Sequence, residues 1–294
     1  MKLKSYAKLN LYLEVLNIRS DSYHNLVTLF ERISLYDEIL LTPRLDKEIK
    51  LLCAEPRVPS GKRNLALRAA ALLRKVSGID KGADIKIIKH IPVAAGLGGG
   101  SSNAATVLLG LNRLWRLNFS REKLTELARE LGADVPFFLY DASFALGRER
   151  GDRIMPLSVM KRRLWHILIV PRFLVSTFSI YKALDKQRKT VKIRDLTELT
   201  KALNNVKILS LALKKGSTPL EGAFLFNRLE EVTLKRYPQI KKIKDKLSNL
   251  GVRAVLMSGS GPAVFGVVSS RKEGESLCRF FKRSGNESFV VRTV

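Results

Sequence analysis

A run of small residues, Gly96-Leu97-Gly98-Gly99-Gly100-Ser101-Ser102, has the composition of a phosphate-binding loop. Glycine permits positive φ and leaves no Cβ in the way, so successive backbone N–H groups can converge on an anion. The alternating segment Asp84–Lys89 predicts a strand before the loop, and apolar residues at helical spacing after it predict a helix. A helix that follows such a loop adds its unpaired N–H groups and its positive dipole end. Strand, loop and helix together predict a phosphate cradle.

Three familiar phosphate loops do not fit this run. The Walker loop requires a lysine after its glycines, and none follows here. The dinucleotide fingerprint requires a third glycine where Ser101 stands, and the protein-kinase signature sequences are absent. A tight structural turn is the alternative interpretation. Ser101 and Ser102 are candidates for phosphate donors or magnesium ligands, and with Asn103 they are predicted to cap the helix.

The bulk composition is that of a soluble globular protein with a large basic surplus. The chain has 53 Lys and Arg against 27 Asp and Glu, a net charge of +26. Three interpretations stay open: a solvated basic surface, attraction of an acidic small substrate, or nucleic-acid binding. Cys53 and Cys278 lie far apart, which argues against a disulfide framework or zinc site and fits a reducing cytosol. No apolar run is long enough for a membrane span, so we expect a cytoplasmic protein.

Elements around the loop must position these residues. Leu9–Val15 and Ile33–Leu41 are strand-like, and helices are expected over Asn64–Lys75 and Ser120–Leu131, the latter with Gly132 as a left-handed cap. Beyond a boundary near residues 155–165, the predicted elements are a strand at Trp165–Val170, helices over Ile180–Lys215 and Pro219–Tyr237, and strands at Val252–Met257 and Ala263–Val268 around a glycine turn.

Three motifs in order give the sequence a resemblance to a known family. They are Ala7-Lys8-Leu9-Asn10-Leu11, the run from Pro92 to Ala105, and Met257-Ser258-Gly259-Ser260-Gly261-Pro262-Ala263-Val264-Phe265. They resemble the motifs of the galactokinase, homoserine kinase, mevalonate kinase and phosphomevalonate kinase group of small-molecule kinases. Two further segments, Ser22–Leu26 and Gly132–Phe137, are similar to a member of the group that phosphorylates a cytidine diphosphate substrate. The resemblance spans essentially the whole chain and is weakest from Lys182 to Gly216.

The resemblance implies an α+β (mixed α/β) two-domain kinase fold with the active site in the interdomain cleft. Residues 1–158 would form an ATP-binding domain and residues 159–294 an α+β substrate-side domain. ATP would be the co-substrate, accompanied by Mg²⁺ through ligands that the sequence does not identify. The implied ATP-binding residues are Pro92, Val93, Ala94, Ala95, Gly96, Leu97, Gly98, Gly99, Gly100, Ser101 and Ser102.

Lys8 and Asp134 match the catalytic pair of the group. A carboxylate beside the substrate hydroxyl can take its proton as general base. A neighbouring ammonium can orient that hydroxyl and offset charge on the transferred phosphoryl group. Taken singly, Asp134 would be read as a turn residue and Lys8 as a surface charge.

Four residues are implied to bind the substrate. Tyr23 and His24 match the cytidine-binding segment, where an aromatic face stacks on a base and a histidine hydrogen-bonds its edge. Tyr181 resembles the opposing aromatic ring, with core packing as the alternative. Asn10 is a candidate polar contact, with a strand-end hydrogen bond as the alternative. The expected partners are ATP and a small-molecule cytidine diphosphate substrate, without nucleic acid or membrane, in a monomer or homodimer.

Two rival functions remain at this point: a sister kinase for homoserine or mevalonate, and a basic nucleic-acid-binding protein that keeps the fold without the reaction. The segment with Tyr23 and His24 argues against the first, and an intact Lys8 and Asp134 against the second. The sequence departs from the group where Ala94 and Ala95 replace frequent glycines, Tyr6 a frequent proline and Arg228 the usual aspartate, and Gly147–Asp152 is less glycine-rich.

Overall fold

The computed structural model describes residues 1–158, 163–188, 195–215, 225–252 and 254–294, and for residues 195, 196 and 215 it describes the backbone alone. Within these ranges lie eleven strands and eight α-helices. The strands are β1 (Lys2–Ile18), β2 (His24–Arg44), β3 (Ile49–Cys53), β4 (Gly82–Ile88), β5 (Phe144–Arg148), β6 (Arg153–Pro156), β7 (Trp165–Val170), β8 (Phe226–Asn227), β9 (Ala254–Met257), β10 (Val264–Val268) and β11 (Glu287–Arg292). The helices are α1 (Leu65–Ser77), α2 (Gly99–Leu114), α3 (Arg121–Leu131), α4 (Thr177–Arg188), α5 (Asp195–Lys215), α6 (Glu230–Arg236), α7 (Pro238–Asn249) and α8 (Arg271–Arg283).

The larger sheet carries the N-terminal half of the chain. Its order is β3-β4-β2-β1-β8, with β5 paired to β2 and β6 to β5. The long antiparallel pair β1 and β2 places Lys8 opposite Arg32 and Leu9 opposite Glu31. Leu9, Leu11 and Val15 on β1 are fully buried, so this strand lies in the interior of the molecule. Side chains on β1 are therefore held firmly by packing.

The smaller sheet has the order β11-β7-β10-β9. Its Leu168 and Phe265 share one apolar cluster with Leu9 and Leu29 of the larger sheet, so a continuous core joins the two. The sheets change over between β6 and β7, although the short β8 returns to pair with β1. The fold class expected from the sequence is confirmed by this architecture, while the domain division at residue 158 stays a prediction.

Most of the expected elements are confirmed, and two of the exceptions concern helix ends. Helix α2 begins at Gly99 with Gly98 as its N-cap, so the expected capping by Ser101, Ser102 and Asn103 is wrong. These residues lie inside the helix because the glycines already supply the turn. Gly132 has φ 170°, which is extended backbone, so the expected left-handed cap is also wrong.

Two predicted helices include residues outside the described ranges. The helices expected over Ile180–Lys215 include residues 189–194, and the helix expected over Pro219–Tyr237 begins among residues 216–224. Residues 159–162 of the expected boundary also lie outside the described residues. The stretch Ile180–Lys215 contains α4 and α5. The described part of Pro219–Tyr237 contains β8 before α6, so a single helix there is wrong. Among the described residues, no helix is both long and apolar enough to cross a membrane.

Candidate functional site

The glycine loop joins β4 to α2 and alternates in backbone conformation. Ala94, Gly96 and Gly98 all have positive φ, at 55°, 79° and 69°. At Gly96 a Cβ would lie 2.2 Å from the carbonyl oxygen of Ser258, so only glycine fits. Alanine at residue 94 adopts the left-handed conformation at a cost of about 1–2 kcal/mol relative to glycine, which makes this departure from the family pattern a strained one.

The loop is fastened to the turn between β9 and β10. Ser258 Oγ donates to the carbonyl of Gly96 over 3.1 Å, and the amide of Ala263 donates to the carbonyl of Ala95 over 3.3 Å. From the other side, the amide of Lys8 donates to the carbonyl of Leu97 over 3.0 Å. The first, second and third sequence motifs therefore meet at one point, where the two sheets come together.

A cavity of about 320 Å³ lies along one side of the loop. It is lined by Val58, Pro59, Arg63, Asn64, Leu65, Lys89, Asn103 and every loop residue from Pro92 to Ser101. Ser102 is not among them, because its side chain is buried and its hydroxyl accepts a hydrogen bond from Ser5 Oγ over 2.8 Å. Ten of the eleven residues expected to bind ATP thus surround one cavity. Ser101 also lines the larger cleft described next, so it is shared by the two.

The larger cleft, of about 650 Å³, shares Gly96, Gly98 and Ser101 with this cavity and contains the expected catalytic pair. Lys8 Nζ stands 3.4 Å from Asp134 Oδ2. The lysine side chain is only 4% exposed and the aspartate 34% exposed, so the carboxylate faces the cleft while the ammonium is held below it. Asp134 follows α3 and precedes the 3₁₀ turn Pro136–Leu139, which brings it above β1.

Lys8 is held by its surroundings on β1. Its Nζ donates to Asn10 Oδ1 over 2.6 Å, and the Asn10 amide donates in turn to Thr28 Oγ1 over 2.8 Å. A Cβ on Gly98 would lie 3.0 Å from Lys8 Cγ, so the glycine allows the lysine to pass close under the loop. Asn10 therefore orients the lysine as well as lining the cleft. The structure supports a role for Asn10 in the site in addition to a strand hydrogen bond.

The four implied substrate residues, Asn10, Tyr23, His24 and Tyr181, all line the same cleft. Tyr181 packs directly on His24, with ring centroids 4.9 Å apart, so the two stand without a gap between them. Tyr23 is 55% exposed, and its ring is covered by the Arg150 guanidinium at 5.2 Å. Burial, with the nearby carboxylates of Asp134 and Asp185, raises the pKa of the Tyr181 phenol above its ordinary value. Tyr181 therefore stays neutral at physiological pH.

Sequence reasoning missed two residues of the cleft. Asp185 hydrogen-bonds His24 over 2.6 Å, and it lies one helical turn after Tyr181 on α4, a spacing that could have indicated a shared face. Arg150 forms an ion pair with Asp152, with 2.6 Å between Nη2 and Oδ2. The sequence indicated only that the segment around Arg150 has fewer glycines than is usual in the family.

Arg228 stands where the family usually has aspartate. It pairs with the buried Glu14 on β1 and lies outside the lining of the cleft. Its Nε donates to Glu14 over 2.7 Å and its Nη2 over 2.9 Å. The pair explains the substitution structurally, because the arginine neutralises a carboxylate on the strand that carries Lys8 and Asn10.

Comparisons with known proteins agree with this geometry. The model for the GHMP kinases N terminal domain matches residues 64–142, and the model for the GHMP kinases C terminal region matches residues 194–287. The first match contains the glycine loop and Asp134, and the second contains the turn that fastens the loop. The chain belongs to the GHMP kinase family.

Curated relatives narrow the family further. A protein of Syntrophus aciditrophicus (strain SB) is 43% identical over all of this chain and 99% of its own length, and one of Pelotomaculum thermopropionicum is 40% identical over 98% of this chain and 96% of its own. Both are named 4-diphosphocytidyl-2-C-methyl-D-erythritol kinase. Within its family, the chain therefore belongs with the 4-diphosphocytidyl-2-C-methyl-D-erythritol kinases.

Solved structures support the same grouping. A crystal structure of 4-(cytidine 5'-diphospho)-2C-methyl-D-erythritol kinase superposes with a TM-score of 0.80 at 33% identity, over the full length of both chains. A homoserine kinase from Cytophaga hutchinsonii superposes with a TM-score of 0.75 at 21% identity, covering all of this chain and 94% of that one. The second likeness concerns the fold alone.

Proposed function

We propose that the chain transfers the γ-phosphoryl group of ATP to the 2-hydroxyl of 4-diphosphocytidyl-2-C-methyl-D-erythritol, giving ADP and the 2-phosphate. This is a step of non-mevalonate isoprenoid precursor synthesis. The observation that carries the proposal is the placement of Lys8 and Asp134 beside the glycine loop in the same cleft as Tyr23, His24 and Tyr181. One end of the cleft thus holds phosphoryl-transfer groups, and the lining includes groups suited to a nucleobase.

The residues divide the chemistry between them. Asp134 accepts the proton of the substrate hydroxyl as the oxygen forms its bond to the γ-phosphorus, and the bond to the ADP oxygen breaks. Lys8 orients the hydroxyl and offsets charge on the transferred group. The loop amides and the N-terminus of α2 bind the phosphates of ATP. Lys8 is buried among protein groups, which strengthens its field at the reacting atoms.

Mg²⁺ would enter with ATP and neutralise charge between its phosphates. Magnesium is usually held by one or two protein oxygens together with substrate phosphates. Ser101, which lines both cavities, is placed to supply such an oxygen. This sparse donor set fits a metal carried by the nucleotide.

An assay of ADP release with a panel of alcohols tests the proposal. We expect turnover with the cytidylylated substrate, and turnover only with homoserine or mevalonate would refute it. Asp134→Asn should lower kcat by about 10²–10⁴-fold with little change in the KM for ATP. Near-normal turnover of this variant would mean that the base lies elsewhere. Tyr23→Ala should raise the KM for the cytidylylated substrate and leave that for ATP nearly unchanged.

Three further properties are proposed with the function. The enzyme works in the cytoplasm, acts as a monomer or homodimer, and uses part of its basic surplus to attract two anionic substrates. The last point predicts that kcat/KM falls as salt is added, because screening weakens long-range attraction. Tight binding of the chain to nucleic acid at physiological salt would favour the rival interpretation of its charge.

A further inference from the structure

A short hydrogen bond between His24 and Asp185 crosses the larger cleft. The His24 Nε2 and Asp185 Oδ1 atoms are 2.6 Å apart. His24 begins β2 in the larger sheet, whereas Asp185 lies on α4, 161 residues further along the chain. The imidazole is 8% exposed and the carboxylate 27%, so the bond is shielded from solvent while both residues still line the cleft.

Tyr181 restricts how a ligand can meet His24. Its ring lies against the imidazole at 4.9 Å with an interplanar angle of 38°. A base inserted between the two rings would need about 7 Å, twice the contact distance of two carbon atoms. One face of His24 is therefore covered, and a base reaches the imidazole at its edge or at its other face.

The hydrogen bond also decides which ring nitrogen of His24 carries a proton. A carboxylate oxygen only accepts, so Nε2 must donate to Asp185. In the neutral imidazole Nδ1 is then left as an acceptor, as the partner of one nitrogen generally sets the tautomer of the other. Among the described residues, Nδ1 has no hydrogen-bond partner, so it is the polar atom of the ring left for a ligand in the cleft.

We propose that Asp185 determines base specificity by holding His24 in the tautomer that presents an acceptor to the base. An acceptor pairs with the exocyclic amino group of cytosine, which donates, and meets the corresponding carbonyl oxygen of uracil unfavourably. The inference rests on the proposed function, in which the substrate carries a cytidine. Asp185 is a positioning residue, since it acts through His24.

Turnover of the cytidylylated substrate and of its uridine analogue measures this role. The ratio of the two kcat/KM values should favour cytidine in the wild-type enzyme and fall by about 10- to 100-fold in Asp185→Ala, which corresponds to about 1.4–2.8 kcal/mol. The KM for ATP should not change. Asp185→Asn keeps an acceptor oxygen of the same shape and should retain most of the preference.

A charge-matched control is Asp245→Asn on α7, an exposed position paired only loosely with Lys241 at 3.6 Å. This variant should keep the wild-type ratio. If Asp185→Ala weakens both substrates equally, Asp185 has only a structural role and the inference is overturned. If the wild-type enzyme does not phosphorylate the cytidylylated substrate at all, the proposed function fails instead, so the two failures are distinguishable.

The tautomer itself can be observed without any variant at Asp185. The chain has three histidines, so the ring nitrogens of a ¹⁵N-histidine-labelled enzyme give few NMR signals. A His24→Gln sample assigns those of His24 by difference. At a pH where the imidazole is neutral, we expect the proton on Nε2 and a bare Nδ1. A proton on Nδ1 would overturn the inference even if every Asp185 variant failed to fold.

Discussion

Replacing Gly96 with alanine tests whether the glycine loop and the turn after β9 form one rigid unit. Gly96 has φ +79°, and a Cβ there would lie 2.2 Å from the carbonyl oxygen of Ser258. The left-handed conformation costs alanine about 1–2 kcal/mol, and overpacking against a backbone atom adds about 1–3 kcal/mol. The obstacle is backbone rather than a flexible side chain, so the loop or the turn must move. We expect the free energy of unfolding to fall by about 3 kcal/mol.

Two other glycines separate the cost of the left-handed conformation from the cost of the clash with Ser258. Gly78 also has positive φ, at +68°, but nothing lies within 4 Å of its added Cβ, so Gly78→Ala should cost only about 1 kcal/mol. Gly100 is helical and its nearest neighbour is Leu65 Cδ1 at 3.9 Å, so Gly100→Ala should stabilise by about 0.5–1 kcal/mol.

Urea denaturation followed by circular dichroism measures all three variants. The kinetics of the Gly96 variant should change as well, with a higher KM for ATP, because the displaced segment supplies the amides of the loop. If Gly96→Ala unfolds as easily as Gly78→Ala and no more, the clash is relieved without cost. The idea of a rigid unit would then be wrong.

Three smaller predictions concern charged groups. Thr293→Val keeps the side-chain shape but removes two buried hydrogen bonds, the 2.6 Å one that the hydroxyl donates to Glu31 and the 2.9 Å one that it accepts from the Leu164 amide. Urea denaturation should show a loss of about 2 kcal/mol that Thr293→Ser does not. Arg228→Ala leaves the buried Glu14 with only the longer 3.6 Å ion pair to Arg188 and should cost about 3 kcal/mol by the same measurement, with only partial recovery in Arg228→Lys, which lacks the bidentate fork. Hydrogen bonds from Arg44 lower the pKa of Asp46 from 3.8 to about 2, so Asp46→Asn should be less stable than wild type above pH 3.8. That difference should shrink as the pH falls toward 2, and a constant difference across this window would contradict the assignment.

The sequence by itself determined the local parts of the site. The loop, the strand before it and the helix after it follow from glycine content and apolar spacing, which act over a few residues. Lys8 and Asp134 were found through ordered motifs, and the structure brings them within 3.4 Å. Helix α1, expected over Asn64–Lys75, begins at Leu65 with Asn64 as its cap, because that side chain accepts from the amides of Ala66 and Leu67.

The tertiary structure alone decided how distant parts combine. No local pattern places Asp185 on His24, since the pair forms only when α4 packs across the end of β2. The same holds for the contact of Arg150 with Tyr23 and for the packing of Tyr181 on His24. Local periodicity carries information about neighbours along the chain, whereas these contacts depend on the packing of two sheets around one core. Local sequence therefore predicts the glycine loop and its flanking elements, whereas the fold decides which side chains meet His24 and Tyr23.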